Sequence, residues 1–360
     1  MTRVYNFNAG PAVLPLEVLQ KAASELVEYG STGMSVMEMS HRSKDFEAIL
    51  DHTQATLREL MGIPSNYRIM FLQGGASTQF AMVPMNLFRK SMTCDLVDTG
   101  FWTQRAIEDA QRYGKVRVIA SSKEEGYTCI PDINPSDFNP DADYFYICTN
   151  NTIYGTRYTS FPDTGKVPLV ADMSSNIMSE KVDVSRFGMI FAGAQKNIGP
   201  SGITLVIMRE DLIGPAIECT PTMLRYSTHA ENNSLYNTPP TFAIYMAGLV
   251  FDHLKSIGGI AAVEKANHEK AGLLYAYLDE SRMFSSKINR RDRSLMNIPF
   301  STGNPDLDGK FVKESTAAGL IGLKGHKRTG GIRASLYNAM SIESVKALVS
   351  FMKDFEARNR

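Results

Sequence analysis

From about residue 15 to residue 208, short apolar runs of strand length alternate with segments of helical period. That alternation constrains the chain more than any other feature, because it is the pattern of an α/β fold. Runs at 67–72, 95–97, 116–120, 144–148, 169–171, 189–191 and 203–208 are nearly continuously apolar, as in a sheet covered on both faces. Helices are expected at 16–29, ending at Gly30, and at 46–61, where Phe46, Ile49, Leu50, Leu57 and Leu60 share one face. Another follows Gln73-Gly74-Gly75-Ala76-Ser77-Thr78 and runs to Phe88. The pattern is helical from Pro240 to about Ser281, then becomes a smaller α+β portion with strands near 295–300 and 332–336 and a last helix over 341–355. Glycine pairs end helices well, so Ser256-Ile257-Gly258-Gly259 is the expected domain boundary.

A chain of 360 residues has room for one large domain and a smaller one. Hydrophobic residues make up 43%, enough for a sizeable core. Lys plus Arg and Asp plus Glu balance at 38 each, which argues against a broad nucleic-acid or anionic-membrane surface and leaves small anionic substrates open. Residues 1–8 hold no apolar run of signal-peptide type, and no stretch nears the roughly 18 apolar residues of a spanning helix. Cys94, Cys129, Cys148 and Cys219 are scattered, with no CxxC pair, so neither a disulfide framework nor a thiolate metal site is expected. A reducing cytoplasm is the expected location.

The dinucleotide fingerprint, the Walker A loop, GxSxG and HExxH are all missing. Asn304-Pro305-Asp306-Leu307-Asp308-Gly309 resembles the start of a calcium loop, but its closing position holds Ser315 rather than Glu. A solvated turn ahead of a helix is the better reading.

The chemistry concentrates elsewhere. Lys196 stands among glycines and small residues after an apolar strand, in Ala192-Gly193-Ala194-Gln195-Lys196-Asn197-Ile198-Gly199. Alone it reads as a loop lysine. A lysine held close to backbone and stripped of water deprotonates more readily, which makes it a candidate Schiff-base lysine. Asp172 ends the strand before it, where α/β sheets bind ligands, and can pair with a protonated pyridine nitrogen. Viewed alone, Asp172 could equally be a helix N-cap. Gly74 to Thr78 join a strand to a helix, a weak signal for a phosphate at the helix N-terminus. Trp102, the single tryptophan, follows Thr99-Gly100-Phe101 and suits either a core or a stack on an aromatic cofactor.

The order of these motifs, with Asn150-Asn151-Thr152-Ile153-Tyr154-Gly155 between them, resembles the fold-type-I, class V aminotransferases. Phe7-Asn8-Ala9-Gly10-Pro11, Met39-Ser40-His41-Arg42-Ser43, Asp172-Met173-Ser174-Ser175-Asn176-Ile177, Asn237-Thr238-Pro239-Pro240 and Gly330-Gly331-Ile332-Arg333-Ala334-Ser335 are similar to the phosphoserine aminotransferase branch. The resemblance implies a mostly parallel seven-stranded sheet in a large domain over 15–257, and a small domain formed by 1–14 with 258–360. It implies pyridoxal 5'-phosphate as cofactor. Lys196 would bind it covalently and carry the proton between Cα and C4′. Asp172 would take the pyridine nitrogen, Trp102 would stack on the ring, and Ala76 and Ser77 would hold the phosphate. Thr152 and Gln195 would contact the ring oxygen region and phosphate. Asn237 and Thr238 would reach the neighbouring subunit's cofactor, implying a homodimer with shared sites.

The implied activity is amination of 3-phosphohydroxypyruvate by glutamate in serine biosynthesis, with a phosphorylated hydroxythreonine of vitamin B6 synthesis as a second substrate in some members. Both are anionic at two ends, and arginine suits carboxylate and phosphate alike through paired hydrogen bonds. Arg333 would clamp the α-carboxylate, while His41, Arg42 and the His326 segment would take the distal anion. The family commonly has Arg directly after this His; here Lys327 and then Arg328 follow, so the phosphate ligand among His326, Lys327 and Arg328 stays open. Two alternatives also stay open: a class V aminotransferase for another small keto acid, and a non-catalytic cofactor-binding protein. A cysteine desulfurase is disfavoured because the last cysteine is Cys219, with nothing nearby to activate a thiolate.

Overall fold

The computed structural model of the chain describes residues 3–359. The parts of the N-terminal and small-domain readings that fall on Met1, Thr2 and Arg360 lie outside the described residues. Numbered along the chain, the strands are β1 (Tyr5–Asn6), β2 (Tyr67–Leu72), β3 (Thr93–Asp98), β4 (Lys115–Ser121), β5 (Tyr144–Cys148), β6 (Leu169–Asp172), β7 (Met189–Gly193), β8 (Thr204–Arg209), β9 (Asn297–Phe300), β10 (Leu320–Ile321) and β11 (Ile332–Ser335). The helices are α1 (Leu16–Ser24), α2 (Lys44–Met61), α3 (Gly75–Leu87), α4 (Phe101–Ala110), α5 (Tyr226–Glu231), α6 (Thr241–Ser256), α7 (Gly259–Glu280), α8 (Pro305–Ala317) and α9 (Ile342–Arg358).

Seven strands form one sheet in the order β2-β8-β7-β6-β5-β3-β4. The run from β7 to β4 is parallel, whereas β8 lies antiparallel to both β7 and β2. Two antiparallel steps restore direction, so β2 points the same way as β7. The carboxyl ends of β2, β3, β5, β6 and β7 therefore share one edge. Side chains alternate along each strand, and the alternation divides them between two cores. Tyr67, Ile69, Phe71, Leu205, Ile207, Ile190 and Ala171 enter one core with α2 and α6. Met70, Leu72, Val206, Met208, Phe191 and Val170 enter the other with α3 and α4. Edge strand β4 departs from the expected two-sided burial: its sides are only half covered, and Val118 is 46% exposed.

Helix α1 stops at Ser24, five residues short of the expected 16–29. Lys21 and Tyr245 both engage the Glu25 carboxylate just past the helix end. The chain then turns so that Tyr29 packs edge-on against Tyr245. Leu26 and Val27, read as helical, are exposed. Between α6 and α7 the path bends by 82°, at Gly258 and Gly259 with φ of 105° and 70°. A side chain is strained in that region, which explains the glycine pair. No single helix among the described residues is long and apolar enough to cross a membrane; α6 and α7 pass such a test together, but α6 is mostly buried in the core.

A third core gathers Leu274, Ile298, Phe300, Phe311, Ile332, Leu348 and Phe355 from α7, α8, α9 and the pair β9–β11, with Phe7, Phe284 and Leu336 from the connecting segments. β1 pairs in parallel with β10, which ties residues 5 and 6 to this C-terminal portion. Asn304 caps α8 by accepting from the backbone of Asp306 and Leu307, so the calcium-loop look-alike is a helix start.

Candidate active site

The shared strand edge opens into a cleft of about 530 Å³, a volume suited to a cofactor with a small substrate. Its lining includes Gly74 to Ser77, Trp102, Thr152, Asp172, Gln195, Lys196, His326 and Arg333. Asp172 is the last residue of β6 and is buried. Its Oδ1 accepts from the Ser174 backbone at 2.8 Å, and the Ser174 hydroxyl in turn accepts from Gly193 N at 3.1 Å. Burial raises the carboxyl pKa, while the Ser174 hydrogen bonds and Lys196 oppose that rise. A cation placed against this carboxyl, such as a protonated ring nitrogen, would favour its charged form and offset the burial.

Lys196 leaves the end of β7, next to β6 in the sheet. Its Nζ donates to Thr152 Oγ1 at 2.8 Å. Burial lowers its pKa from 10.5 to about 8, against the opposing pull of Asp172 and Cys148; Arg333 adds to the lowering. A neutral, nucleophilic amine is thus accessible near neutral pH.

Helix α3 begins at the β2 end, with Gly74 as its N-cap and Gly75, Ala76 and Ser77 in its first turn, all at the cleft wall. Its first-turn N–H groups have no helical partners, an arrangement suited to an anion. Packed beside it, α4 starts after Gly100, whose φ is 146° and whose added Cβ would lie 2.6 Å from the Tyr154 ring. Glycine there lets the Tyr154 ring pack against the turn that leads into Trp102. The Asp98 carboxylate fixes this turn, accepting from Gly100 N, Thr103, Ser121 and Tyr127. The Trp102 indole packs on Phe80 and Phe101 while its buried Nε1 has no hydrogen-bond partner among the described residues.

Arg333, on β11, donates from Nη1 to the Thr152 carbonyl at 3.0 Å. Burial lowers its pKa, and no carboxylate pairs with it among the described residues. A half-buried guanidinium without a counter-ion is costly unless a ligand supplies one. His326 also faces the cleft; burial, with Arg333, Lys327 and Arg328, lowers its pKa. Its Nδ1 accepts from the Arg328 backbone at 3.3 Å, which leaves the proton of the neutral ring on Nε2 as a donor.

Six expected site residues do not line this cleft: His41, Arg42, Asn237, Thr238, Lys327 and Arg328. His41 Nδ1 lies 3.1 Å from Thr238 Oγ1, and the Thr238 carbonyl accepts from Gln73, just before Gly74. This group therefore stands at the rim, beside the α3 N-terminus. Arg328 stacks over the Phe101 ring at 4.5 Å, and Lys327 is exposed.

Sequence reasoning missed other lining residues. Ala9 and Gly10 close one side, with the Ala9 carbonyl held by Tyr337 OH at 2.8 Å and Ala12 N bonded to the Gln195 carbonyl. Asn150, Ser174, Ser175 and Cys148 form the floor. The adjacency of Ser174 and Ser175 to Asp172 was the available signal; Asn150 is reached only through its bonds to Ser175, Ser294 and Asn297.

The donor set fits pyridoxal phosphate: a buried carboxylate for a ring nitrogen, an indole face, a helix N-terminus for a phosphate, and an amine of lowered pKa. The Aminotransferase class-V family profile matches residues 4–348. A phosphoserine aminotransferase of Bacillus cereus is 53% identical over 360 residues, covering 100% of both chains. The solved phosphoserine aminotransferase from Bacillus circulans subsp. alkalophilus superposes with a TM-score of 0.97 at 47% identity, covering 99% of each chain. The PLP-bound phosphoserine aminotransferase from Trichomonas vaginalis superposes with a TM-score of 0.92 at 39% identity, covering 98% of this chain and 100% of that one.

Proposed function

From the premise that this chain belongs to the class-V aminotransferase family, we propose that it is a pyridoxal-phosphate enzyme moving the amino group of L-glutamate to 3-phosphohydroxypyruvate. The products are O-phospho-L-serine and 2-oxoglutarate. The observation that carries this reading is the meeting of Lys196, Asp172, Trp102, the α3 N-terminus and an unpaired Arg333 around one cleft. Pyridoxal phosphate, when bound, supplies an electron sink conjugated to the substrate's Cα.

The chain's own residues do the rest. Asp172 would pair with the pyridine nitrogen and favour its protonated form. Ala76 and Ser77, with Gln195, anchor the phosphate at the helix terminus. Lys196 would hold the cofactor covalently and, as a free amine, would move the proton between Cα and C4′. Thr152 keeps that amine directed, its hydroxyl 2.8 Å away. Arg333 binds the α-carboxylate of donor and acceptor alike. His326 offers Nε2–H to the distal anion, with Lys327 and Arg328 adding positive charge at the mouth.

We place His41, Arg42, Asn237 and Thr238 in the site of a second copy, giving a homodimer with shared sites. Their position at the rim, off the cleft of their own chain, supports this. So does the exposure of Leu16, Leu26, Val27, Met34, Met37 and Tyr236 on neighbouring segments, a large apolar display for a monomer surface. The proposed domain division remains 15–257 against 1–14 with 258–360, the proposed location is the cytoplasm, and a phosphorylated hydroxythreonine is a proposed second substrate.

The test follows the visible band of the cofactor-loaded protein. Glutamate should bleach it, and 3-phosphohydroxypyruvate should restore it where hydroxypyruvate does not. Equal recovery with the unphosphorylated acid would replace the substrate with another small keto acid, and no response to any amino donor would leave a cofactor-binding protein. The same assay with the phosphorylated hydroxythreonine decides the second substrate.

A further inference from the structure

A second lysine is stripped of water, away from the cleft. Lys270 lies on α7 and is 2% exposed. Its Nζ lies within hydrogen-bond distance of the carbonyls of Tyr337 at 3.0 Å, Leu336 at 3.2 Å and Asn338 at 3.4 Å. It forms no ion pair among the described residues, and burial lowers its pKa from 10.5 to about 7. Burying a lysine with no counter-charge is costly, so the geometry of what it grips is informative.

Residues 336–338 follow β11, the strand that carries Arg333. Asn338 is the junction. Its side chain accepts from Asn267, one turn before Lys270 on α7, and donates to the Met178 carbonyl. Its backbone N–H donates to Asn197 Oδ1 at 3.0 Å, and Asn197 is the neighbour of Lys196. Tyr337, between the gripped carbonyls, holds Ala9 at the cleft wall. One turn thus links the end of the Arg333 strand to the Lys196 loop, and α7 holds that turn through Lys270.

We propose that Lys270 is a positioning residue: by gathering the 336–338 carbonyls it fixes the turn that sets Arg333 and Lys196 relative to each other. This rests on the proposed roles of those two residues and goes beyond them, since Lys270 touches neither substrate nor cofactor. A packing role alone would leave the relative placement of the two groups unchanged.

The test uses the cofactor-loaded protein, with Lys270→Met, which keeps the volume and removes the donors, and Lys270→Gln, which restores two N–H groups. The Met variant should bind pyridoxal phosphate, yet show a KM for glutamate raised about tenfold and a shifted pH midpoint of the visible band. The Gln variant should recover part of both. Residues acting through one link are non-additive, so adding Asn197→Ala to Lys270→Met should cost little beyond the worse single change. A Met variant with a lowered melting temperature but unchanged KM, kcat and band midpoint would overturn the proposal, as would losses that multiply in the double variant. Should the Met variant fail to fold, Lys270→Leu, which also removes the donors, takes its place, and an unchanged KM and band midpoint there would overturn the proposal equally. A wild-type protein that binds the cofactor and ignores glutamate would fail the proposed function instead, and the band midpoint would still decide Lys270.

Discussion

Two lysines in this molecule have lost their water, and they have opposite surroundings. Lys196 opens onto a cleft, faces the Asp172 charge, and gives one hydrogen bond to the Thr152 hydroxyl. Lys270 opens onto nothing and is encircled by three backbone carbonyls. Burial lowers both pKa values by comparable amounts, to about 8 and about 7. The shift alone therefore does not mark a catalytic group. What distinguishes them is spare reactivity: Lys196 has space in front of it and a partner that can let go, whereas Lys270 commits its donors to backbone.

The contrast breaks most sharply by deletion. Lys196→Ala should lower the rate of the glutamate half-reaction by about 10⁴-fold or more, since proton transfer by a positioned group alone is worth roughly 10²–10⁴. Its melting temperature without cofactor should change little; a variant retaining a hundredth of the wild-type rate would contradict this. Next in size is Arg333→Leu. A charge-assisted hydrogen bond to a carboxylate is worth about 1.5–3 kcal/mol, so KM for donor and acceptor should both rise roughly 10- to 100-fold. A rise for one substrate alone would move the α-carboxylate elsewhere.

Two pH measurements sharpen the comparison further. In cofactor-free protein, the rate of pyridoxal phosphate capture should climb as pH passes about 8, where the Lys196 amine becomes neutral. A flat profile from pH 6.5 to 9.5 would show that its protonation does not limit capture. Stability carries a signature of its own. A lysine with a lowered folded pKa binds fewer protons folded than unfolded between the two values. For Lys270 that window runs from about 7 to the ordinary 10.5, so its contribution to stability rises with pH across it. Urea unfolding of cofactor-free protein should therefore show a smaller rise from pH 7 to 9.5 in Lys270→Met than in wild type. Equal slopes would mean that Lys270 stays charged when folded. The smallest effect is expected from Trp102→Phe, which keeps a ring but trims the stack: about a three- to tenfold loss of cofactor affinity, from an aromatic contact worth roughly 0.5–1.5 kcal/mol.

Much of the frame was legible in the sequence because burial on both faces leaves a run of apolar residues. All seven strands of the large sheet fall on such runs, with ends shifted by a residue or two. Lys196 and Asp172 stood out for the complementary reason, as charges at the ends of those runs. The end of α1 was not legible, because Leu26 and Val27 continue the apolar pattern while facing outward. The polar floor of the cleft left no periodic pattern: Ser175 was marked only by its adjacency to Asp172, and Asn150 meets Ser175 and Asn297 across distances in sequence that no periodicity records. Lys270 was invisible on the same ground. A lysine in an amphipathic helix reads as solvated until the carbonyls of a remote turn are placed beside it. The rim position of His41 and Thr238 likewise depends on how β2 delivers Gln73 to them.

The pairing of β1 with β10 also sets an order of events at the ribosome. Residues 5 and 6 emerge early in translation, yet their partners are 320 and 321, and the hydroxyl that holds Ala9 belongs to Tyr337. At roughly 5–20 residues per second, the first dozen residues wait on the order of tens of seconds before their place exists. The large sheet, whose strands span 67–209, can form during that interval. The cleft wall made by Ala9 and Gly10 is consequently among the last parts of the molecule to be installed, so a nascent chain acquires its sheet before it acquires a closed site.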